Sequence, residues 1–185
     1  TLQQLQLVER RVPVTETQPH KSRRGIYRLK DPYLRFWFRY VHPHRSQLER
    51  GGVQIILDNQ VLPQLDLFTG MAFEEVCRQT LWSWGLSGEL PFAPVNIGNW
   101  WNANEEIDLL VLGDTDAMLV ECKWANKPVG SDILANLERK ASLAQAELGG
   151  RQVSYGLCSR TGFTRPLTQD AQQRGDVMLF DLPAI

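Results

Sequence analysis

An α/β sandwich built on a mixed sheet is the fold class predicted by this sequence, and three observations predict it. Three strand-like apolar runs stand close together between residues 95 and 124, helix-period segments flank them at 70–84 and 131–148, and a strand, a short helix and a strand follow to residue 182. The order helix, three strands, helix, strand, helix, strand buries its apolar faces when the helices cover a mixed sheet. A chain of 185 residues, 43% hydrophobic and 22% charged, can bury that core without disulfides or metal. No apolar stretch reaches the roughly 18 to 20 residues of a membrane span, and no basic region followed by an apolar one opens the chain. No membrane partner is expected, and a cytoplasmic location is. Cys77, Cys122 and Cys158 are odd in number and lack CxxC spacing. They predict neither a disulfide framework nor a zinc finger, but small buried hydrophobes in a reducing compartment.

Taken in order, Leu2, Leu5 and Leu7 look like the tail of an amphipathic helix already under way, and Thr1 is not a start methionine. A C-terminal piece of a longer protein, or a processed or trimmed one, is expected. Val8 to Thr15 reads as a strand, Glu16 to Arg24 as a polar basic loop, and Gly25 to Lys30 as a second strand, which together make a hairpin with a basic tip. Asp31-Pro32 supplies an N-cap and an N1 proline for a helix carrying Leu34, Phe36, Trp37, Phe38 and Tyr40. A helix followed by such a hairpin is the second half of a winged helix-turn-helix. Lys21, Arg23 and Arg24 cluster at its tip, where a solvated loop and a contact with nucleic-acid phosphates are both served. Pro43 to Gly52 reads as a linker or an irregular connection.

Charge divides along the same line. Residues 1–50 carry eleven Lys or Arg against four acids, a net +7, and the remaining 135 carry −8. A basic segment joined to an acidic one points to two units with different partners, one of them anionic.

In 70–84, Phe73, Val76, Cys77, Thr80, Leu81 and Trp84 share a helical face. At about 100° per residue from Phe73, Glu74 falls on the flank of that face and Glu75 on its far side. Glu74 is expected at the rim of a buried surface and Glu75 in water. Three strands follow, at Val95 to Trp101, Glu106 to Leu112 and Ala117 to Trp124. Ser131 to Leu148 is a helix with Ile133, Leu134, Leu137, Ala141, Ala144 and Leu148 on one stripe, ended by Gly149-Gly150. Arg151 to Ser159 is a strand, Thr168 to Arg174 a short helix, and Asp176 to Leu182 the last strand.

The chemistry lies in residues 105–124, EEIDLLVLGDTDAMLVECKW. Gly113-Asp114-Thr115-Asp116 is a turn between two apolar runs, which makes a hairpin whose paired residue numbers sum to 229. One face then matches Ile107 with Cys122, Leu109 with Val120 and Val111 with Met118. The other sets Asp108 opposite Glu121 and Glu106 opposite Lys123. A slip of one residue destroys this segregation. Facing Cβ atoms are about 4.5 to 5.5 Å apart, so two carboxylates can share a divalent cation, and without a cation they repel. Lys123 shares the face of Glu121 and brings an ammonium that can serve an attacking water or a pentavalent phosphate. The same spacing also fits a surface Glu/Lys pair. Lys140 lies at about 340° from Ile133 within the apolar stripe of its helix, either snorkelling outward or aimed at the carboxylates.

At these residues the sequence resembles the PD-(D/E)xK, or restriction-endonuclease-like, nucleases over roughly residues 66–182: a helix with a glutamate, three strands bearing D and then E-x-K, a helix, and further strand. The runs KSRRGIYRLKDPYLRFWFRYV, FEEVCRQ, EIDLLV and VECKW together look like the C-terminal part of prokaryotic DEXX-box ATPases. The resemblance implies a restriction-endonuclease-like mixed sheet flanked by helices and preceded by a winged-helix remnant. Residues 1–50 would be the C-terminal part of a winged helix and 51–185 the nuclease-like domain. It implies Glu74 as a helix-borne acid of the metal site and Asp108 and Glu121 as ligands of Mg²⁺ or Mn²⁺, with the Cys122 carbonyl beside them. Lys123 would be the catalytic lysine, and Lys140 corresponds loosely to a polar residue some members carry on the next helix. Ile107 replaces the name-giving proline. No G-x-x-x-x-G-K-[ST] is present, so this fragment is not expected to hydrolyse ATP, and the missing ATPase domain of the same protein is an expected partner. The implied function is metal-dependent hydrolysis of DNA. The alternative is a non-catalytic module that binds nucleic acid or protein for the ATPase.

Overall fold

In the computed structural model, which describes residues 1–185, the strands form a two-stranded hairpin and a five-stranded sheet. The chain divides into two compact units, Thr1–Val12 with Gln18–Ala72, and Pro13–Thr17 with Phe73–Ile185.

In the first unit, β1 (Val8–Arg11) pairs antiparallel with β2 (Ile26–Leu29), Val8 facing Leu29. The first strand stops short of the expected Thr15, since Pro13 has no N–H for a ladder. The helix tail expected at the N-terminus is absent. Residues 2–6 form turns of unequal span, Gln6 takes a φ of 60°, and Leu2 and Leu5 are 58% and 67% exposed, with no partner face to make them helical. The loop between the strands is tied from within by Arg10, which donates to the carbonyls of Pro19 at 2.7 Å and Ser22 at 2.5 Å. Its guanidinium lies where a Cβ on residue 25 would project, so that position takes glycine.

Asp31 caps the next helix as expected, accepting from the N–H groups of Tyr33 at 2.7 Å and Leu34 at 3.3 Å. The expected linker at 43–52 is instead largely helical. After α1 (Pro32–Phe36) comes a wide turn, Trp37–Val41, then a 3₁₀ turn, His42–His44, and α2 (Arg45–Glu49). Pro43 explains the sequence of turns: lacking an N–H and crowding the preceding turn, it widens the helix before it without ending it. The same device recurs twenty residues on about Pro63, where α3 (Val53–Ile56) is followed by a wide turn at Leu57–Val61 and a 3₁₀ turn at Leu62–Gln64. Tyr40, Ile56 and Val61 form the small core of this unit, packed by Phe36, Leu48 and Phe68.

α4 (Leu65–Ser87) begins in the first unit and enters the second at Phe73. Its buried stripe is Phe73, Cys77, Leu81 and Gly85. Each i+4 step advances about 40°, which swings the face away from Val76. That residue, expected on the buried face, is 46% exposed. The sheet runs in the order β3 (Asn96–Trp101), β4 (Glu106–Leu112), β5 (Asp116–Lys123), β6 (Gln152–Ser159), β7 (Val177–Asp181). The first three strands are antiparallel neighbours and the last three parallel. The parallel pairs require crossovers, supplied by α5 (Ser131–Leu148) and α6 (Arg165–Gln173). Gly149 closes α5 in the left-handed region, φ 64°. Residues of α5 and α6 share one core with the sheet, and those of α4 share another on the opposite face. The fold is thus α/β, a mixed sheet flanked by helices. No helix is long and apolar enough to cross a membrane.

Candidate active site

The β4–β5 hairpin closes through Gly113 N–H donating to the Asp116 carbonyl at 2.9 Å, and its register holds the expected sum of 229 over four pairs, Leu112–Ala117 to Leu109–Val120. The expected pairs Ile107–Cys122, Asp108–Glu121 and Glu106–Lys123 do not form, and Ile107 packs in the core on the face opposite Cys122. Alternation of an antiparallel ladder would next send the Cys122 N–H to the Ile107 carbonyl. It goes instead to Oδ2 of Asp108 at 2.8 Å, and the ladder ends there. On the other side, β3 bulges between Gly98 and Trp100, and the side chain of Asn99, the residue between them, donates to the Asp108 carbonyl at 2.6 Å. A bulge on one neighbour and a broken ladder on the other leave Asp108 held but partly open, a common arrangement beside active sites.

Glu121 is only 5% exposed, and each of its oxygens is taken by one lysine. Lys123 Nζ lies 2.6 Å from Oε1, and Lys140 Nζ lies 2.9 Å from Oε2. Lys140, 7% exposed, therefore reaches inward from α5 and does not snorkel. Two ammoniums supplied by the chain itself thus stand against the carboxylates of Glu121 and Asp108. The balance is uneven. Oδ1 of Asp108 accepts no hydrogen bond from the chain. Burial, and then the charge of Glu121, push the Asp108 carboxyl up to about 6, against the opposing Cys122 N–H and the two lysines. Burial works to lower the Lys123 ammonium, but its hydrogen bond to Glu121 and the charges of Glu121, Asp108 and Cys122 leave it raised and firmly protonated. The free oxygen of Asp108, the oxygens of Glu121 and the nearby Cys122 carbonyl are hard donors of the kind Mg²⁺ or Mn²⁺ takes, so the residues present fit such an ion.

Glu74 lies on α4, the helix that covers the other face of the sheet. The ring of Phe73 packs on Trp124 with centroids 5.4 Å apart, which sets the adjoining turn of α4 at the Lys123 end of β5. Glu74 is partly buried there. Glu75, expected to face water, is half-covered, its side chain 36% exposed and bound by Arg78 at 2.5 Å and Gln79 at 2.9 Å. An i, i+3 arginine and an i, i+4 glutamine draw it along the helix surface. Lys21 and Arg23, in the other unit, are exposed at the hairpin loop, and Arg24 is partly buried.

Two contributors escape a reading of local pattern. Asn99 acts through a bulge, which strand periodicity does not reveal. Arg160 follows β6 and is brought beside Trp124 by the parallel register Lys123–Ser159. Its guanidinium lies 4.5 Å from the Trp124 ring centre, and the backbone N–H of Arg160 donates to the Lys123 carbonyl at 3.1 Å. Only the crossover pairing of two distant strands would have signalled it. Arg139 on α5 is paired to Glu105 at 2.6 Å, and Lys127 is exposed on the loop after β5.

Comparison with known proteins gives a consistent family and no activity. The chain is 32% identical over 183 residues to an uncharacterized protein, MJECL04, of Methanocaldococcus jannaschii, covering 97% of this chain and 38% of that protein. It therefore spans well under half the length of that relative. No solved structure matches it. A model of archaeal and bacterial proteins of unknown function, DUF234, matches residues 37–141, more than half of the chain and the whole of the hairpin that carries the carboxylates, and the chain belongs to that family.

Proposed function

We propose that this chain carries a PD-(D/E)xK-type site for metal-dependent hydrolysis of DNA phosphodiesters, as the C-terminal part of a larger ATPase. The observation that carries the proposal is Asp108: its carboxylate is fixed by the Cys122 N–H with one oxygen open, and its main-chain carbonyl is held by Asn99, beside Glu121 and Lys123 at the end of β5. Asp108, Glu121 and the Cys122 carbonyl would hold Mg²⁺ or Mn²⁺, which when bound supplies an activated water and charge stabilisation at the phosphate. The chain's own residues do the rest. Lys123, kept protonated by its carboxylate neighbours, places a positive charge where negative charge develops on a phosphate in the transition state. Lys140 fixes the Glu121 carboxylate from the core side. Arg160, Arg139 and Lys127 offer cations to the flanking backbone, and Lys21, Arg23 and Arg24 of the other unit add contacts with phosphates independent of sequence.

One observation favours a second reading, a non-catalytic module that binds nucleic acid or protein for the same ATPase. Two lysines already neutralise the two carboxylates, and a degenerate site would keep that balance for stability alone. Incubation of plasmid and single-stranded DNA with the protein and Mg²⁺ or Mn²⁺, beside the Lys123→Ala variant, separates the two. The nuclease reading predicts metal-dependent cleavage that falls by about 10² or more in Lys123→Ala while Mn²⁺ affinity changes little. Cleavage by that variant at the parent rate, or none by the parent, would overturn it.

A further inference from the structure

A cysteine in an apolar core is ordinarily a small hydrophobe. Here the chain has three, and all three meet. Cys77 comes from α4, Cys122 from β5 and Cys158 from β6, and their sulfurs all lie within 4.8 Å of one another. The last two are register partners on adjacent parallel strands, and Cys77 sits over them from the helix. The three are 0%, 8% and 1% exposed, in a pocket whose other walls include Phe73, Leu81, Val120 and Phe180. Residues 45 and 36 positions apart in the chain have been brought to one point by three separate elements.

We propose that the three thiols form a site for one thiophilic d¹⁰ dication of the zinc class, distinct from the hard-donor site on the opposite face. Around an ion with metal–sulfur bonds of about 2.3 Å, three sulfurs stand about 3.8 to 4.0 Å apart. The three sulfurs lie within 4.8 Å of one another, at most about 1 Å beyond this spacing. Binding exchanges three S–H bonds for three metal–sulfur bonds and releases three protons to solvent, with no change of oxidation state. Three thiolates and a dication leave a single negative charge. Soft sulfur excludes Mg²⁺ and Mn²⁺, and the oxygens of Asp108 and Glu121 favour them, so the two faces select different ions. The site ties α4 to two strands, and so fixes the chain on which Glu121 and Lys123 are carried. It does not rest on the nuclease reading.

Cadmium is the probe, added to metal-free protein kept reduced by a phosphine with Mg²⁺ in excess. The parent should take one Cd²⁺ per chain with a thiolate-to-metal charge-transfer band in the near ultraviolet. Zinc should displace it, and the melting temperature should rise by roughly 5 to 10 °C at about a hundred times the Kd. Cys77→Ser should weaken binding by at least roughly a hundredfold, one of three metal–sulfur bonds being lost. Cadmium-edge absorption spectroscopy of the parent counts the sulfurs even if Cys77→Ser fails to fold, and three are expected. No band and no thermal shift in the parent, or fewer than three sulfurs at the ion, would each overturn the proposal.

Discussion

At the end of β5 two neighbouring residues are buried to nearly the same degree in opposite company. Glu121 is 5% exposed and ion-paired twice on the α5 face, whereas Cys122 is 8% exposed on the α4 face among apolar side chains and two other thiols. Burial alone therefore says little about what a residue is for. A buried carboxylate is tolerable only with its counter-charges, while a buried thiol needs none and is available for a ligand.

The largest effect expected from this contrast is on stability. Lys140→Met leaves Glu121 with one ammonium in a desolvated site and should cost about 3 kcal/mol in urea unfolding. Cys122→Ala, on the other face, loses only a small packed group and should cost about 1 kcal/mol in the metal-free protein. Adding Glu121→Leu to Lys140→Met should recover most of the loss, since removing both charges is far cheaper than stranding one. Equal costs for the two single variants would break the comparison.

A smaller effect follows from Asp108, whose carboxyl stands raised to about 6 from 3.8. A carboxyl raised in the folded state holds its proton more tightly there than when unfolded. Its stabilising contribution is therefore complete below about pH 4 and is lost as pH rises through about 6. In metal-free protein the loss is on the order of 2 kcal/mol after discounting for partial exposure. Asp108→Asn should remove this pH dependence and be the more stable protein at pH 7. A parent stability that is flat between pH 4 and 7 would place Asp108 in water.

The strands and the site were legible in the sequence to different depths. The sum of 229 followed from the segregation of polar and apolar pairs, and the Glu121/Lys123 spacing from the strand period, because both are local. The helical run through Pro43 and Pro63 was not, since proline is the usual sign of a stop, and only tertiary packing of Tyr40 and Val61 carries the helix past it. The partner of Lys140 was undecided because a helical angle gives a direction and no distance. The meeting of the three thiols depends on a parallel register and a crossing helix, neither of which leaves a local pattern.

The smallest effect expected concerns the basic hairpin. Replacing Lys21, Arg23 and Arg24 together by alanine should change stability by no more than about 0.5 kcal/mol, as loop surface residues do. It should weaken binding to unrelated DNA sequences alike and flatten the salt dependence by up to about 3 in log-log slope. An unchanged slope would make the tip a solvated loop.

The central claim is that Lys123 and Lys140 balance the carboxylates when no metal is present, and that Asp108 remains the open ligand. It is tested most directly by following the Asp108 carboxyl carbon by NMR through a pH titration, with and without Mg²⁺. The account predicts a midpoint near 6 in metal-free protein and a fall of at least about one pH unit with Mg²⁺, because a cation at the open oxygen favours the ionised form. The same midpoint in both, with the lysines in place, would contradict it and leave the cluster as charge balance alone.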